Sequence, residues 1–367
     1  MSLLAVFDEN ENPKSTNAIK NCLFRKPGIS GRFKKLPLAQ DISSRIKSKD
    51  IFFSLEFLPP RNHYGVVNLH DRLHFIQDGG TLFCSITWHT NGCDPASEKE
   101  TSSSSFASSI ATSFNFHTML HLAANDLTKD KVLAVLKQAQ LHGIRTVLAL
   151  RGDRNPGWLC PKNGFRQAVD LVRYIREKFG DIFTIGVAGY PAGHHEAVSY
   201  KHDLKFLKEK VDAGADFVIS QIFFSADLFL KFYQDCKTFG INVPVIPGIL
   251  PILNYPSLLR IAGLCHLEIP PNISNCLSCI SHNEEAVTNF GIQYAINLAR
   301  DILKTGSVPA IHFFTLNREK PVITICKQLG LWTMEPPRYR IQEKQPISND
   351  DNKKYSVICL NNNYCNK

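Results

Sequence analysis

One short segment places an acidic side chain at the end of an apolar run. Residues 52–57 are strand-forming, with Glu56 as their only charged side chain, and Pro59 and Pro60 end the run because proline cannot continue a β-ladder. Burial among apolar neighbours favours the protonated form of a carboxyl group, which can then donate a proton near neutral pH. We therefore expect Glu56 to be a general acid, with an exposed carboxylate at a strand end as the alternative.

Polar side chains recur at the ends of further apolar, β-branched or aromatic runs. These runs predict strands over 52–57, 82–87, 118–122, 145–150, 183–188, 216–222, 243–248 and 310–315. The polar groups near their ends are Glu56, Thr87 with Trp88, His121, Arg151 to Asp153, Tyr190 with His194 to Glu196, Gln221, and Asn317 with Arg318. If the strands are parallel and form a closed ring, these side chains share one mouth.

Helical patterns separate the strands and specify the fold class. They cover residues 128–142, 164–179, 201–213, 225–239 and 283–305, and a further helix is predicted to start near Ser102 to Ser105. Most of the strands lack polar alternation, as expected for strands buried on both faces. The α/β alternation predicts a (β/α)8 TIM barrel over residues 50–334. An open doubly wound sheet is the alternative, but no Gly-x-Gly-x-x-Gly follows the first strand.

Charge is concentrated at one end of the chain. The net charge is +9, and residues 12–49 hold ten basic side chains and one acidic side chain, so this segment accounts for 10 − 1 = +9. We predict that residues 1–49 are a flexible basic extension and that residues 335–367 are a polar, disordered tail. The body between them shows no basic face, so we expect no nucleic-acid partner.

The cysteines and histidines do not follow metal-site spacings. The chain has 11 cysteines, no convincing secretory signal and no apolar run near the roughly 20 residues that span a bilayer. We therefore expect reduced thiols, a cytoplasmic location and no membrane partner. Cys276 and Cys279 form a single Cys-x-x-Cys without a second pair, and His194 and His195 are adjacent, so no metal is predicted.

The remaining rim residues would suit a phosphorylated, planar cofactor. Arg151 lies near Asp153, and Asp203 and Lys210 are seven residues apart on one face of a predicted helix. A lysine near an anionic cofactor would contact its phosphates. The spacing alone permits this cofactor without establishing it.

Nine motifs occur in an order that closely resembles the methylenetetrahydrofolate reductase family in its eukaryotic form. They are SLEFLPPR at 54–61, TWH at 87–89, KETS at 99–102, LALRGD at 148–153, VAGYP at 187–191, GADF at 214–217, QIFF at 221–224, PGI at 247–249 and TLNRE at 315–319. The resemblance covers about residues 50–335, the whole of the predicted barrel.

The resemblance implies a flavoprotein oxidoreductase of one-carbon metabolism. NADPH or NADH would reduce a bound FAD, which would then reduce 5,10-methylenetetrahydrofolate to 5-methyltetrahydrofolate for methionine supply. Glu56 matches the family's general acid, which assists opening of the five-membered ring. The folate contacts implied are Asp153, Gln221, Phe314 and Arg318. The implied FAD positions are Thr87, Trp88, His121, Arg151, Gly152, Asp153, Gln167, Ala168, Tyr190, His194, His195, Glu196, Ala197, Asp203 and Lys210.

The sequence departs from the family pattern at three positions and in length. Gln167 and Phe314 stand where tyrosines are usual, and His195 replaces the proline of a Gly-His-Pro-Glu turn. Gln167 and Phe314 are expected to weaken cofactor or substrate affinity. Eukaryotic members usually add a C-terminal domain that binds S-adenosylmethionine, and this sequence ends soon after its predicted barrel, so we expect no such inhibition.

Two alternatives to this function stay open at the level of sequence. One is a catalytically weakened or silent flavin-binding relative, which the three departures favour. The other is a different flavin barrel, of the proline dehydrogenase type, which would lack the Glu-Phe-Leu-Pro-Pro motif. The sequence also does not decide between a monomer and a homo-oligomer.

Overall fold

The computed structural model describes residues 36–88, 99–153 and 157–332. The strands in these ranges are β1 (Phe52–Phe57), β2 (Phe83–Ile86), β3 (His117–Ala123), β4 (Thr146–Leu150), β5 (Thr184–Gly189), β6 (Phe217–Ser220), β7 (Val245–Ile246), β8 (Gly248–Ile249) and β9 (Ala310–Phe314). The helices are α1 (Leu38–Ser48), α2 (His63–Asp78), α3 (Ser103–Ser113), α4 (Lys129–Leu141), α5 (Ala168–Phe179), α6 (Tyr200–Asp212), α7 (Ala226–Thr238), α8 (Tyr255–Leu264), α9 (Pro271–Ile280), α10 (Glu284–Leu303) and α11 (Glu319–Gln328).

The strands form one parallel sheet in the order β7-β6-β5-β4-β3-β2-β1-β9-β8. The predicted strand 243–248 is two short pieces, β7 and β8, because Pro247 between them has no amide hydrogen to donate. β7 pairs with β6 and β8 pairs with β9, so this interrupted segment closes the ring. Eight strand positions result, and the predicted TIM barrel is confirmed.

Side chains of the barrel strands alternate between two apolar regions. Phe52 and Phe83 lie with Met119 and Phe217 in a cluster built almost wholly from strand residues, which fills the inside of the barrel. Their neighbours along the strands, such as Phe53, belong to the main core between the sheet and the helices. This period of two decides which polar side chains point into the barrel.

Helix α1 lies within residues 1–49, the segment for which a flexible basic extension is predicted. Leu38 and Ile42 are fully buried in the inner cluster, and Ile46 packs against it. The His117 Nε2 atom lies 3.6 Å from the Asp41 carboxylate. The apolar residues recur every four positions within the basic segment, so one face of α1 is apolar despite the charge of the segment as a whole. Residues 1–35 and the predicted tail 335–367 lie outside the described residues.

Most predicted helices are confirmed within a few residues at each end. The predicted helix near Ser102 is α3, and the Ser102 hydroxyl caps it by accepting a hydrogen bond from the Ser105 amide at 3.2 Å. Helices α2, α8, α9 and α11 were not predicted. In the described ranges, no helix combines the length and the apolar character needed to cross a membrane.

Candidate active site at the carboxyl ends of the strands

The residues predicted to form a rim lie at one mouth of the barrel. Glu56 is the next-to-last residue of β1, and His121 lies in the second half of β3. Arg151, Tyr190 and Gln221 directly follow β4, β5 and β6. Because the strands are parallel in a closed ring, their carboxyl ends meet at the same mouth. These five residues therefore lie at one mouth of the barrel.

Glu56 is a buried carboxylate between two imidazoles. Its side chain is only 7% exposed, and its Oε2 atom lies 3.5 Å from Nε2 of His121 and 3.5 Å from Nε2 of His312. Burial lowers the pKa of His121 to about 4, although the Glu56 charge acts in the opposite direction. His121 is therefore neutral at physiological pH, and Glu56 has neutral imidazole rather than a fixed positive charge beside it on β3.

The backbone around Glu56 is fixed by the turn that follows β9. The amide and hydroxyl of Thr315 both donate to the Glu56 carbonyl, at 3.3 and 2.5 Å. The Asn317 side chain accepts from the Leu58 amide at 2.9 Å and donates to the Leu58 carbonyl at 3.1 Å. Leu316 and Asn317 have left-handed φ values of 50° and 59°. This turn fastens the end of the first barrel strand to the last one.

A charged turn follows β4 and faces the loop after β5. Arg151 donates two hydrogen bonds to the carboxylate of Glu196, at 2.6 and 2.9 Å. Gly152 has a φ of 86°, and a Cβ atom there would meet the Asn125 Oδ1 atom at 2.2 Å. The Asn125 side chain also donates to the Asp153 carbonyl at 2.8 Å. A glycine is required at position 152 both by its conformation and by this close approach.

Aromatic rings are stacked in the loop after β5. Tyr190 and His194 pack edge to face with centroids 4.6 Å apart, and His195 stacks between His194 and His266 at 4.6 and 4.0 Å. The Ala197 amide donates to the His194 carbonyl at 2.9 Å, which closes a tight turn. Burial, followed by the neighbouring His195, lowers the pKa of His194 to about 4, so this ring is neutral at pH 7.

Helix α6 brings a lysine and an aspartate beneath this loop. The Lys210 ammonium donates to the Ala188 carbonyl in β5 at 2.6 Å. Burial lowers the pKa of Lys210 to about 8, while the charge of Asp203 opposes that change. Burial likewise raises the pKa of Asp203, opposed by Lys210. The charge of Asp203 offsets only part of the cost of desolvating Lys210, so this lysine is suited to receive an anionic group.

The other predicted cofactor residues fall into two settings. Gln167 precedes α5, its amide donates to the Asp170 carboxylate at 2.9 Å, and Ala168 begins the helix. The Thr87 amide donates to the Phe57 carbonyl at 3.0 Å, whereas its buried hydroxyl has no hydrogen-bond partner in the described parts of the protein. Trp88 belongs to the main core between sheet and helices, where packing already accounts for it.

Three of the four predicted folate residues lie on the β6 and β9 side of the mouth, whereas Asp153 lies in the turn after β4. The Gln221 side-chain oxygen accepts from the Ile222 amide at 2.9 Å, which orients its amide group. Phe314 is 8% exposed and packs against Ile222 in a small apolar cluster. Arg318 lines a small cavity together with Leu316. Apolar contact and amide hydrogen bonding are therefore both available on this side.

Two buried residues of the site were not assigned a role from the sequence. Ser54 and His312 are paired across β1 and β9, both are fully buried, and the Ser54 Oγ and His312 Nδ1 atoms are 2.8 Å apart. The signal was present in the spacing, since Ser54 is two residues before Glu56 and His312 is two residues before Phe314. Alternate residues of a strand share a face, so both point into the barrel.

Metal ligands do not assemble in the part of the chain that the structure describes. No group of three or more His, Cys, Asp or Glu side chains there could hold a metal ion. Cys276 and Cys279 are exposed free thiols on α9.

Comparisons with known proteins assign a family to most of the chain. The family model for methylenetetrahydrofolate reductase matches residues 41–330. A probable methylenetetrahydrofolate reductase (NADPH) of Caenorhabditis elegans is 46% identical over 314 residues, covering 84% of this chain and 47% of the relative. Methylenetetrahydrofolate reductase (NADH) 1 of Arabidopsis thaliana is 39% identical over 308 residues, covering 81% of this chain and 51% of the relative. The chain thus spans about half the length of these curated relatives.

A solved structure with low sequence identity supports the fold alone. It is a Clostridium thermocellum protein described as binding two copies of 5-methyl-5,6,7,8-tetrahydrofolic acid, with a TM-score of 0.57 and 13% identity. The match covers 78% of this chain and 98% of that protein. On the extent of the family match and the identity to the two relatives, the chain belongs to the methylenetetrahydrofolate reductase family.

Proposed function

We propose that this chain forms the catalytic barrel of an FAD-dependent oxidoreductase that reduces 5,10-methylenetetrahydrofolate to 5-methyltetrahydrofolate with NADPH or NADH. Membership of the family supports the reaction. The names of the nematode and plant relatives support a nicotinamide donor but differ between NADPH and NADH, so they do not choose between the two.

The observation that carries the proposal is the buried carboxyl group of Glu56 at the mouth. The substrate holds its one-carbon unit between N5 and N10, and the product keeps that carbon on N5. The bond from the carbon to N10 must therefore break, and N10 needs a proton to leave. A carboxylic acid that is 7% exposed and has neutral His121 beside it is suited to donate that proton.

The residues on the β4 and β5 side fit a flavin dinucleotide. Lys210 is a desolvated cation and Arg151 a half-buried one paired with Glu196, and both suit the phosphates. On the β2 side, the buried Thr87 hydroxyl has no partner in the described parts of the chain and suits a ribityl or ring oxygen. Gly152 leaves room for close approach because it has no side chain. When bound, the flavin would supply the two-electron chemistry, accepting a hydride from NAD(P)H and giving it to the one-carbon unit.

The folate would be held between the turn after β4, which carries Asp153, and the β6 and β9 side of the mouth. Asp153 and the oriented amide of Gln221 would bind the polar edge of the pterin, and Phe314 would contact its apolar face. Arg318 would bind a carboxylate of the glutamyl part. Phe314 offers this contact without the hydroxyl of the usual tyrosine, and Gln167 and His195 are further departures within the cofactor side.

The two half-reactions can be measured separately by the visible absorption band of the flavin. The purified protein should be yellow, lose the band with NADPH or NADH under anaerobic conditions, and recover it on addition of methylenetetrahydrofolate. Glu56→Gln should leave bleaching by the nicotinamide largely intact and slow the recovery by about 10²–10⁴-fold. Glu177→Gln, an exposed carboxamide substitution on α5, is the matched control and should leave both steps unchanged.

Three outcomes separate the proposal from its alternatives. Equal survival of both half-reactions in Glu56→Gln would show that this carboxyl group is not the acid. A protein that stays colourless after addition of FAD would favour a silent relative. Flavin reduction by NAD(P)H without recovery on addition of folate would contradict methylenetetrahydrofolate as the substrate.

A further inference from the structure

A polar pair lies directly beneath Glu56 inside the barrel. Ser54 and His312 have 0% exposure, and the Ser54 Oγ to His312 Nδ1 distance is 2.8 Å. The ring of His312 stacks on Phe83 with centroids 5.9 Å apart and meets the edge of Phe314 at 5.2 Å. Burying such a pair among aromatic rings is costly unless its polar atoms are satisfied. Packing alone therefore does not explain why Ser54 and His312 are buried there.

The free end of this pair is directed at the proposed acid. Nε2 of His312 is buried without a hydrogen-bond partner in the described ranges, and Glu56 Oε2 lies 3.5 Å from it. Nε2 of His121 lies at the same distance from the same oxygen. In the described parts of the chain, these imidazoles are the basic groups within 4 Å of the carboxylate. Cys265 also senses the Glu56 charge, but burial raises the pKa of this thiol to about 11, so it is neutral.

The contact with Ser54 selects one tautomer of His312. The described acceptor for the Ser54 hydroxyl is His312 Nδ1, and a buried hydroxyl hydrogen without an acceptor would be costly. Ser54 therefore donates to Nδ1, and the ring proton of neutral His312 resides on Nε2. A donor then faces Glu56 Oε2. When Glu56 is protonated, its own hydrogen is placed on Oε1, the other oxygen.

We propose that His312, oriented by Ser54, is a positioning residue that holds Glu56 Oε2 and thereby leaves the acidic proton on Oε1 for the substrate. This inference rests on the proposed role of Glu56 as the acid. In the folate step the Oε1–H bond breaks as the N10–H bond forms, and the C–N10 electron pair stays on N10. The His312 Nε2–H group stabilises the resulting carboxylate, and solvent restores the proton before the next turnover.

The test uses single-turnover rates of both half-reactions across pH. His312→Leu should slow the folate step by about 10- to 100-fold, as expected when a reacting group is mispositioned, and leave nicotinamide bleaching unchanged. Because a donor to the carboxylate is lost, the pH at which the folate step falls by half should move upward. His312→Gln, which keeps an N–H donor near the position of Nε2, should recover much of the rate. A structural role alone would predict neither the shifted pH profile nor this recovery.

Ser54→Ala provides a second, milder variant should leucine at position 312 impair folding. It removes one hydroxyl and should slow the folate step while changing the His312 tautomer in ¹⁵N spectra of histidine-labelled protein. Ser103→Ala is the matched control, since Ser103 is a fully buried serine on helix α3, outside the barrel strands. It should leave the pH profile and the His312 signals unchanged.

The results distinguish this inference from the proposed function. Loss of the folate step in Glu56→Gln, together with wild-type rates and pH profile in Ser54→Ala and His312→Leu and an unchanged tautomer in Ser54→Ala, would overturn the role of His312 alone. Survival of the folate step in Glu56→Gln would overturn the acid role itself, whatever the His312 variants do.

Discussion

Lys210 offers a direct measurement of how strongly the cofactor side of the mouth prefers an anion. In the flavin-free protein its ammonium group is buried against the Ala188 carbonyl, and Asp203 offsets only part of the cost. The perturbation is Lys210→Met, which keeps the length and apolar stem of the side chain and removes the charge. Lys208→Met is the matched control, because Lys208 is on the same helix and pairs with Asp212 at the surface.

The size and sign of the effect follow from the pKa of Lys210. Burial lowers it to about 8 from an ordinary value of 10.5. At 1.36 kcal/mol per pKa unit, the charged form costs the folded state roughly 3 kcal/mol. The unfolded chain binds the proton more tightly than the folded one, so this cost is present in full below pH 8 and disappears as the pH rises to 10.5. Relative to Lys210→Met, the wild type should therefore gain stability across that window.

The assay is urea unfolding of the flavin-free wild type and both variants between pH 7 and pH 10.5. The difference in unfolding free energy between wild type and Lys210→Met should change by about 2–3 kcal/mol in favour of the wild type as the pH rises. The difference for Lys208→Met should be nearly flat. Saturating FAD should flatten the Lys210 curve, since bound phosphates would hold the ammonium charged. A Lys210→Met difference that is constant over this pH range would refute the reasoning.

Two further predictions concern the close contact at Gly152 and the packing of helix α1 against the barrel. Gly152→Ala should lower the unfolding free energy by about 1–3 kcal/mol more than Gly157→Ala, because both have positive φ but only Gly152 lies against Asn125. Equal costs in urea unfolding would contradict the contact. Ile42→Ala should cost about 2–5 kcal/mol and the exposed Gln40→Ala less than about 0.5, which thermal and urea unfolding can compare. If Ile42→Ala leaves the unfolding free energy unchanged, α1 does not stabilise the barrel.

The architecture was predictable because buried parallel strands have a strong local signature. The runs at β1 to β6 and β9 are mostly apolar and buried on both faces, and most of the intervening helices have amphipathic patterns and clear caps. The misses have physical causes. Pro247 divides an apolar run that reads as continuous, and the charge of the basic segment concealed the apolar stripe of Leu38 and Ile42. The predicted start of α5 was early because the true cap is Gln167, with Asp170 accepting its amide hydrogen.

The candidate site was predictable in outline and less so in its internal contacts. Placing Glu56 and Gln221 at one mouth needs only the parallel order of the strands. The pairing of Ser54 with His312 depends on the register between β1 and β9, whose paired residues are separated by 258 positions in the sequence. No local pattern carries that register. For the same reason, the contacts of His121 and His312 with Glu56 could not be predicted without the pairing of the strands.

The fastening of β1 to the last barrel strand also bears on how the chain matures on the ribosome. Asn317 holds Leu58 across a sequence separation of 259 residues. At about 5–20 residues per second, synthesis of that interval takes on the order of 10–50 s. Throughout that time, the edge of β1 that later pairs with β9 stays unpaired, and this edge includes Glu56. Such long-range closure favours slow, late folding, so efficient production should depend on chaperone protection of the growing polypeptide.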